Sequence, residues 1–317
     1  MNKPKVLVTG IVSRAGLDAL FSKYEVSYSE KEYSREWVLE HAAEYDAILL
    51  MGMKGDQELI DAAKKLQIIS VNGVGFDHVD ISYAKQKGII VSNSPQSVRV
   101  PTAEMTFALL LSAGKRLHFY DRVVREGGWM DVSKPEYQGM TLAGSTLGVF
   151  GMGRIGKTVA KYAQDFGMNV IYHDPFRMKE EQEKELNVHY VSFDEMLAQS
   201  DVLTIHAPLM DSTRGVFNDE AFSKMKPTAY LVNAARGAII QEKALIKALR
   251  EHKIAGAGLD VFEFEPQVSE ELRALDNVVM SPHAGTGTVA GRKEIAQEAA
   301  GNIVSFFEGR PIHVVNA

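Results

Sequence analysis

The sequence contains no cysteine and no long hydrophobic run. The first absence excludes disulfides, thiolate nucleophiles and cysteine-bound metals, and we predict no metal site of any kind. The second leaves no stretch that approaches the roughly 18 apolar residues needed to span a bilayer. These two features favour a cytoplasmic protein without a membrane partner.

Positively charged residues are fewer than negatively charged ones. The chain has 35 Lys and Arg residues against 41 Asp and Glu residues, for a formal net charge of −6, and no basic block stands out. Because a nucleic-acid partner requires clustered Lys and Arg, we do not expect one. An apolar fraction of 45% with 24% charged residues is ordinary for a water-soluble globular chain and too apolar for disorder.

The organisation of the chain indicates two domains. Its 317 residues exceed the usual span of one hydrophobic core. Short apolar segments alternate with segments of helical character in two series, which predicts an α/β fold with two doubly wound parallel sheets. The predicted strands are 5–9, 46–51, 67–71 and 89–92 in the first series, and 146–150, 170–173, 188–191, 202–206, 230–233 and 257–261 in the second.

Three helices carry further local signals. We predict that Pro101 opens a strongly apolar helix over 102–117, buried between the domains, because a missing N–H is harmless at the first helical position. Ser192 and Glu195 fit a capping box at another helix start. A last helix is predicted over 289–307, ending near Gly309.

The segment Gly151-Met152-Gly153-Arg154-Ile155-Gly156 matches the G-x-G-x-x-G pattern between a predicted strand and a helix predicted over 157–163. In such a turn the first glycine permits the tight bend and the second lets a pyrophosphate approach the backbone. The third allows the helix to pack closely on the strand. The phosphates would face unpaired N–H groups at the positive end of the helix. The context therefore indicates a dinucleotide site.

Asp174 ends the next predicted strand, eighteen positions after Gly156. This is close to the spacing of about 20 expected of a carboxylate that binds ribose hydroxyls. A 2′-phosphate would be repelled there, so we predict NAD(H), although Arg177 nearby could weaken the discrimination. The alternative is that Asp174 is a turn residue before Pro175.

Three other polar segments follow predicted strands and contain Arg236, Glu265 and His283. Reduction of a 2-oxo acid needs a cation that grips carboxylate and carbonyl, an acid that protonates the developing alkoxide, and a partner that keeps that acid charged. Singly, these residues could be a surface charge, a turn residue and a structural histidine. Their joint occurrence behind a dinucleotide fingerprint favours catalysis.

With these motifs the sequence resembles the D-isomer-specific 2-hydroxyacid dehydrogenases, which include glyoxylate and hydroxypyruvate reductases, D-lactate dehydrogenases and phosphoglycerate dehydrogenase. The resemblance covers essentially the whole chain, including 73–77, 102–104, 128–129 and 206–209. It implies hydride transfer between a nicotinamide cofactor, for which Asp174 favours NAD(H) over NADP(H), and a 2-oxo acid/D-2-hydroxy acid pair. It also implies a homodimer formed through the cofactor domains. The implied active-site cleft lies between a flavodoxin-like substrate domain, 1–99 with 288–317, and an NAD-binding Rossmann domain, 100–287.

The resemblance also implies a role for particular residues. Arg236 would bind substrate, His283 would donate the proton and Glu265 would hydrogen-bond the imidazole, while Val74 and Gly75 would offer backbone N–H groups to the substrate carboxylate. For His206 a structural role is nearly as well supported as a cofactor contact. The implied cofactor contacts are Gly151, Gly153, Arg154, Ile155 and Gly156 near the pyrophosphate, Asp174 at the adenosine ribose, and His206, Pro208, Ala234 and Asp260 along the ribose and nicotinamide.

The substrate itself stays open at this point. Val74 stands where phosphite-oxidising relatives have Lys, and Glu265 where formate-oxidising relatives have Gln, so both of these substrates are disfavoured. Glyoxylate, hydroxypyruvate, pyruvate and bulkier acids such as phenylpyruvate are all compatible, with Met51, Met53 and Trp129 as candidates for the side-chain pocket. The alternative function is an NAD(H)-sensing corepressor, because such proteins use the same fold and keep the same catalytic residues.

Overall fold

The computed structural model describes residues 3–317 and divides into two compact units. The first unit ends at Pro101 and resumes over Thr286–Ala317, and the second unit is Thr102–Gly285. Each unit contains one sheet in which every pair of neighbouring strands is parallel. The predicted fold class, two doubly wound α/β sheets, is confirmed.

The first sheet has five strands in the order β2-β1-β3-β4-β5. The central strand Ala47–Leu50 is buried throughout, as expected of a parallel strand that is covered on both faces. The strand order reverses between β1 and β3, which is the flavodoxin-like arrangement. The strands are β1 Lys5–Val8, β2 Glu25–Ser27, β3 Ala47–Leu50, β4 Ile68–Val71 and β5 Ile90–Ser92.

The second sheet has seven strands in the order β12-β11-β10-β9-β6-β7-β8. Its order reverses between β6 and β9, where ligands of open α/β sheets commonly bind. The sheet is continuous across this point, since Leu147 of β6 pairs with Val202 of β9 on one side and with Val170 of β7 on the other. The strands are β6 Thr146–Phe150, β7 Asn169–His173, β8 His189–Tyr190, β9 Val202–Ile205, β10 Tyr230–Asn233, β11 Gly256–Leu259 and β12 Val278–Met280.

Helices connect the strands and cover the sheets. In chain order they are α1 Asp18–Lys23, α2 Arg35–His41, α3 Gln57–Ala62, α4 Ile81–Gln86, α5 Arg99–Gly114, α6 Leu117–Arg125, α7 Arg154–Asp165, α8 Glu180–Leu186, α9 Phe193–Gln199, α10 Asp219–Lys224, α11 Glu242–Arg250, α12 Glu270–Arg273 and α13 Val289–Phe307. Among residues 3–317, none of these helices combines the length and apolar character needed to cross a membrane.

The predicted helix over 102–117 is wrong at both ends. Helix α5 begins at Arg99, so Pro101 is its third residue, which is tolerated because first-turn N–H groups have no intrahelical partner. The run breaks at Arg116, whose left-handed φ of 57° separates α5 from α6. In contrast, the predicted capping box of Ser192 and Glu195 is confirmed at the start of α9.

Hydrophobic clusters lie on both faces of each sheet. In the second unit, Leu147 and Val149 belong to one cluster and their neighbour Phe150 belongs to the other, as the alternation of side chains along a strand requires. In the first unit, α13 packs Ala299 and Ile303 against the sheet. Both sheets are therefore rigid supports for the loops at the ends of their strands.

Candidate active site

The candidate site residues predicted in the second half of the sequence share one edge of the second sheet. All of them follow the carboxyl ends of its parallel strands, which is where ligands of open α/β sheets bind. This edge carries Gly151 after β6, Asp174 after β7, His206 and Pro208 after β9, Ala234 and Arg236 after β10, Asp260 and Glu265 after β11, and His283 after β12.

Two of the three glycines of the fingerprint are required by the packing of the chain, and the third is not. Gly151 has a φ of 96°, and an added Cβ would lie 2.4 Å from the Ala207 nitrogen. A Cβ at Gly156 would lie 2.3 Å from the Gly151 oxygen, so this glycine allows the helix to pack closely on the turn. A Cβ at Gly153 would meet nothing within 4 Å, and its backbone suits any residue. The packing of the chain therefore leaves open space at Gly153.

The start of α7 supplies the matching donors. Gly153 is its N-cap residue and makes no side-chain cap hydrogen bond, so the first N–H groups of this 12-residue helix keep their donor capacity. Arg154 is exposed and Ile155 is half-buried in the first turn. The positive end of the helix and these donors suit a phosphate group.

The carboxylate of Asp174 lies beside the glycine turn. Its Oδ2 accepts a hydrogen bond of 2.9 Å from the N–H of Met152, and its Oδ1 accepts one of 2.8 Å from Phe176. Asp174 is half-buried at the end of β7. These bonds hold a negative charge against the dinucleotide loop.

The nearby Arg177 is bound to Glu183. Its Nε and Nη2 donate to the two carboxylate oxygens at 2.9 and 3.0 Å, and its guanidinium lies 5.1 Å from the ring centre of Tyr190. Hydrogen bonds from Arg177 and from Tyr172 lower the pKa of Glu183. Arg177 is thereby directed toward a fixed anion of the chain itself.

His206 carries a buried ring nitrogen without a partner. Its Nε2 lies 2.9 Å from the Thr204 hydroxyl, whereas Nδ1 forms no hydrogen bond within the described part of the chain. Burial lowers the pKa of His206 to about 3, so the ring is neutral at physiological pH. An unpaired buried polar atom costs about 1–3 kcal/mol, which a bound ligand could offset. Pro208 beyond it is exposed, and Ala234 is half-buried.

Glu265 and His283 form the pair that the sequence predicts. Nδ1 of His283 lies 2.8 Å from Oε2 of Glu265, and the other oxygen accepts a 2.9 Å hydrogen bond from the Phe262 N–H. The Nε2 atom of His283 makes no hydrogen bond within 3–317. The imidazole is therefore oriented through one nitrogen and offers the other.

The charge of Glu265 is set by competing effects. Burial acts to raise the pKa of this carboxyl, but hydrogen bonds from His283 and the Phe262 N–H outweigh it, with a further contribution from the positive charge of Arg236. The net effect lowers the pKa of Glu265. It is thus ionised at neutral pH and favours positive charge on the imidazole.

The loop that carries Arg236 packs against the loop that carries Glu265. A Cβ at Gly237 would lie 1.9 Å from the carbonyl oxygen of Phe262, so only glycine permits this approach. Arg236 is half-buried, and its Nη1 donates to the Ala235 carbonyl at 2.8 Å. This packing places Arg236 near enough to Glu265 for its positive charge to help lower the pKa of that carboxyl.

Asp260 has a structural task that sequence reasoning did not foresee. This side chain is 1% exposed, and its carboxylate accepts from the Ser281 hydroxyl at 2.5 Å and from the N–H groups of Ala284 and Gly285 at 2.7 Å. Its carbonyl accepts from the His283 N–H at 2.8 Å. These bonds enclose His283, whose φ of 52° is unfavourable by about 1–2 kcal/mol for an L-residue.

Asn233 is a further residue that the sequence did not single out. It is fully buried, donates from Nδ2 to the Arg236 carbonyl at 3.0 Å, and accepts from the Ala235 N–H at 3.0 Å. It therefore shapes the Arg236 loop. Its only sequence signal is its place directly before that loop.

Val74 and Gly75 lie in the first unit, in the loop between β4 and α4. Both are half-buried, and neither backbone N–H donates a hydrogen bond among the described residues. Met51 and Met53 follow the neighbouring strand β3 and are also half-buried. Trp129 belongs to the second unit and is 90% exposed.

Comparison with known proteins identifies the family. The model of the D-isomer specific 2-hydroxyacid dehydrogenase NAD binding domain matches residues 107–285. Glyoxylate reductase from Thermococcus onnurineus is 41% identical over 322 residues, which cover 99% of this chain and 96% of that protein. The chain belongs to the D-isomer-specific 2-hydroxyacid dehydrogenase family. The resemblance predicted from the motifs is confirmed, and this dehydrogenase is an oxidoreductase with a nicotinamide cofactor domain.

Solved structures resemble the dehydrogenase over its whole length. A glyoxylate reductase from Paecilomyes thermophila has a TM-score of 0.89 and 36% identity, covering 99% of both chains. The NADPH-dependent glyoxylate/hydroxypyruvate reductase from Sinorhizobium meliloti, in complex with NADP and malonate, has a TM-score of 0.87 and 30% identity, covering 99% of this chain and 97% of that one. Because a relative uses NADPH, the choice between the two cofactors must be argued from this chain's own residues.

Proposed function

We propose that this dehydrogenase reduces small 2-oxo acids to D-2-hydroxy acids with NADH. The observation that carries the proposal is the 2.8 Å pair of His283 and Glu265, under the charge of Arg236, on the sheet edge that bears the dinucleotide fingerprint. The same set could oxidise the hydroxy acid in the reverse direction.

Arg236 binds the substrate in this proposal. A guanidinium donates in a planar fork, which suits the two oxygens that a 2-oxo acid presents side by side. Val74 and Gly75 add backbone N–H donors for the substrate carboxylate. These contacts neutralise the charge of the substrate carboxylate, and they also fix the substrate carbonyl in one orientation.

His283 supplies the proton. Glu265 accepts the Nδ1–H and stabilises the imidazolium, so that the Nε2–H is available for the carbonyl oxygen. When NADH is bound, its nicotinamide supplies a hydride to the carbonyl carbon. The proton on the oxygen then completes the alcohol, and His283 is left neutral.

The cofactor contacts follow from the fit of the sheet edge. The free space at Gly153 and the donors at the start of α7 suit a pyrophosphate, and the unpaired Nδ1 of His206 suits a polar group of the cofactor. The residues proposed to hold NADH are Gly151, Gly153, Arg154, Ile155, Gly156, Asp174, His206, Pro208, Ala234 and Asp260.

Two features support NADH over NADPH. The Asp174 carboxylate, held beside the glycine turn, would repel a 2′-phosphate. The nearest expected counter-charge, Arg177, already makes two hydrogen bonds to Glu183. A 2′-phosphate would have to compete with that carboxylate for the guanidinium.

A homodimer formed through the second unit is supported by helix α6. This helix contains no buried residue, yet it is amphipathic. Leu117, Val124, Trp129 and Val132 on and after it are each more than half exposed. Apolar surface of this kind commonly marks an interface, and we propose that a second copy of the chain covers it in the cytoplasm.

Initial rates with a panel of 2-oxo acids test the function. Glyoxylate and hydroxypyruvate come first, because relatives are named for them, followed by pyruvate and phenylpyruvate, each with NADH and with NADPH. Saturable NADH oxidation with at least one acid is expected. If NADH binds but no acid is reduced, the chain is a nicotinamide-binding protein of corepressor type and the proposed reaction is wrong.

A further inference from the structure

The loop that carries Val74 and Gly75 is tied down by its carbonyl groups. The Ser94 N–H donates to the Gly73 oxygen, and the side-chain Nδ2 of Asn93 donates to the Val74 oxygen, both at 2.8 Å. In a trans peptide the N–H points opposite to the C=O. The N–H groups of Val74 and Gly75 therefore both point away from the end of β5.

These two N–H groups are successive donors that point to the same side of the loop. Neither has a hydrogen-bond acceptor within residues 3–317. Successive backbone N–H groups of this kind bind anions. A Cβ built at Gly73 would meet nothing within 4 Å, so the chain's own packing leaves space beside the loop.

Both polar backbone groups of Asn93, its N–H and its carbonyl, form hydrogen bonds. Its N–H donates to the His313 carbonyl at 3.2 Å, and its carbonyl accepts from Nδ2 of Asn302 at 2.8 Å. Asn93 is 7% exposed, and Asn302 is fully buried on α13. The side-chain amide that donates to the Val74 carbonyl therefore projects from a backbone that is itself hydrogen-bonded.

We propose that Asn93 is a positioning residue for substrate-carboxylate recognition. The inference rests on the proposed function, in which Val74 and Gly75 bind that carboxylate. Asn93 orients the Val74–Gly75 peptide, whereas the Ser94 N–H orients the preceding one. Without the Asn93 amide, the Gly75 N–H loses its fixed direction and the substrate loses one of two aligned donors.

The variants Asn93→Ala and Asn93→Asp test this role. Alanine removes the donor, and aspartate keeps the shape but presents an acceptor to the Val74 carbonyl. We expect the KM for the 2-oxo acid to rise about tenfold in Asn93→Ala, the loss typical of one hydrogen bond to a charged group. The kcat should stay within about threefold of the parent, and the KM for NADH should not change.

Asn316→Ala is the matched control. Asn316 lies in the same unit, is 8% exposed, and hydrogen-bonds the backbone of Ile89 just before β5 and of Val91 within it, not the residues that follow the strand. It should lose thermal stability much as Asn93→Ala does, without a change in KM. A KM for the 2-oxo acid that stays at the parent value in Asn93→Ala would overturn the inference, as would an equal rise in Asn316→Ala.

Binding of oxamate to the enzyme with NADH, measured by calorimetry, separates this inference from the proposed reaction. Oxamate presents a carboxylate but is not reduced. Weaker binding to Asn93→Ala and Asn93→Asp, with parent-like binding to Asn316→Ala, supports the positioning role even if no 2-oxo acid on the panel proves to be a substrate. Equal affinity in all four proteins refutes it.

Discussion

Replacing Glu265 by Gln removes a charge beside His283 while it keeps the size of the side chain. At a charge separation of about 4 Å, the interaction amounts to about 1–4 kcal/mol for an effective dielectric between water and a protein surface. The His283 side chain is 50% exposed, so solvent screening places the value near the lower end. The interaction that the substitution removes is therefore about 1 kcal/mol.

The direction follows from the lowered pKa of Glu265, whose hydrogen bonds outweigh its burial. The ionised carboxylate stabilises the protonated form of the pair that reduction requires, so in Glu265→Gln the alkaline fall of kcat/KM for reduction should begin at lower pH. In oxidation His283 acts as the neutral base. The acid limb of that profile should therefore move in the same direction, extending activity to lower pH.

The assay is kcat/KM against pH in both directions on one preparation of parent and variant. Glu263→Gln is the matched control, because this neighbouring carboxylate accepts from the Glu242 N–H rather than from the imidazole. The acid and alkaline limbs of the pH profiles of Glu263→Gln should coincide with those of the parent. If the limbs of Glu265→Gln also stay in place, the proposed pairing of Glu265 with His283 has no catalytic role.

Three other substitutions have defined outcomes. Arg236→Lys replaces a planar fork by a point charge, so the transition-state stabilisation calculated from kcat/KM should fall by about 2–4 kcal/mol. A steady-state kcat/KM within threefold of the parent value would show that Arg236 is peripheral. Asp174→Ala should narrow the NADH preference, mainly through a higher KM for NADH; an unchanged ratio of kcat/KM for the two cofactors would contradict this role. Asp260→Asn turns an NH₂ toward backbone donors around His283, so kcat should fall about 100-fold, and a parent-like kcat would show that the loop keeps its geometry without the carboxylate.

The parts of the fold that the sequence predicted are those with a strong apolar signal. Buried strands such as Ala47–Leu50 read as continuous apolar runs. The edge strand Glu25–Ser27 has no buried residue and forms only through pairing with β1, so its own sequence gave no sign of it. The break between α5 and α6 at Arg116 was missed because Lys115 and Arg116 are good helix formers, and their sequence alone gives no sign of the left-handed turn.

The site was predictable where chemistry demands a particular side chain. Arg236, Glu265 and His283 stand out because their functional groups match the reaction and follow strands. Asn93 and Asn233 do not, because they act by hydrogen bonds to backbone carbonyl groups. Asn93 reaches a residue 19 positions away, a contact that depends on the folded sheet and leaves no pattern in the chain.

The central claim is tested most directly by the stoichiometry and configuration of a single product. Hydroxypyruvate is incubated with the enzyme and NADH, NADH consumption is followed by absorbance, and the glycerate is resolved by chiral chromatography. The account predicts one D-glycerate for each NADH oxidised, with the rate lost in His283→Ala. An L product, or NADH oxidation that survives the removal of His283, would contradict it.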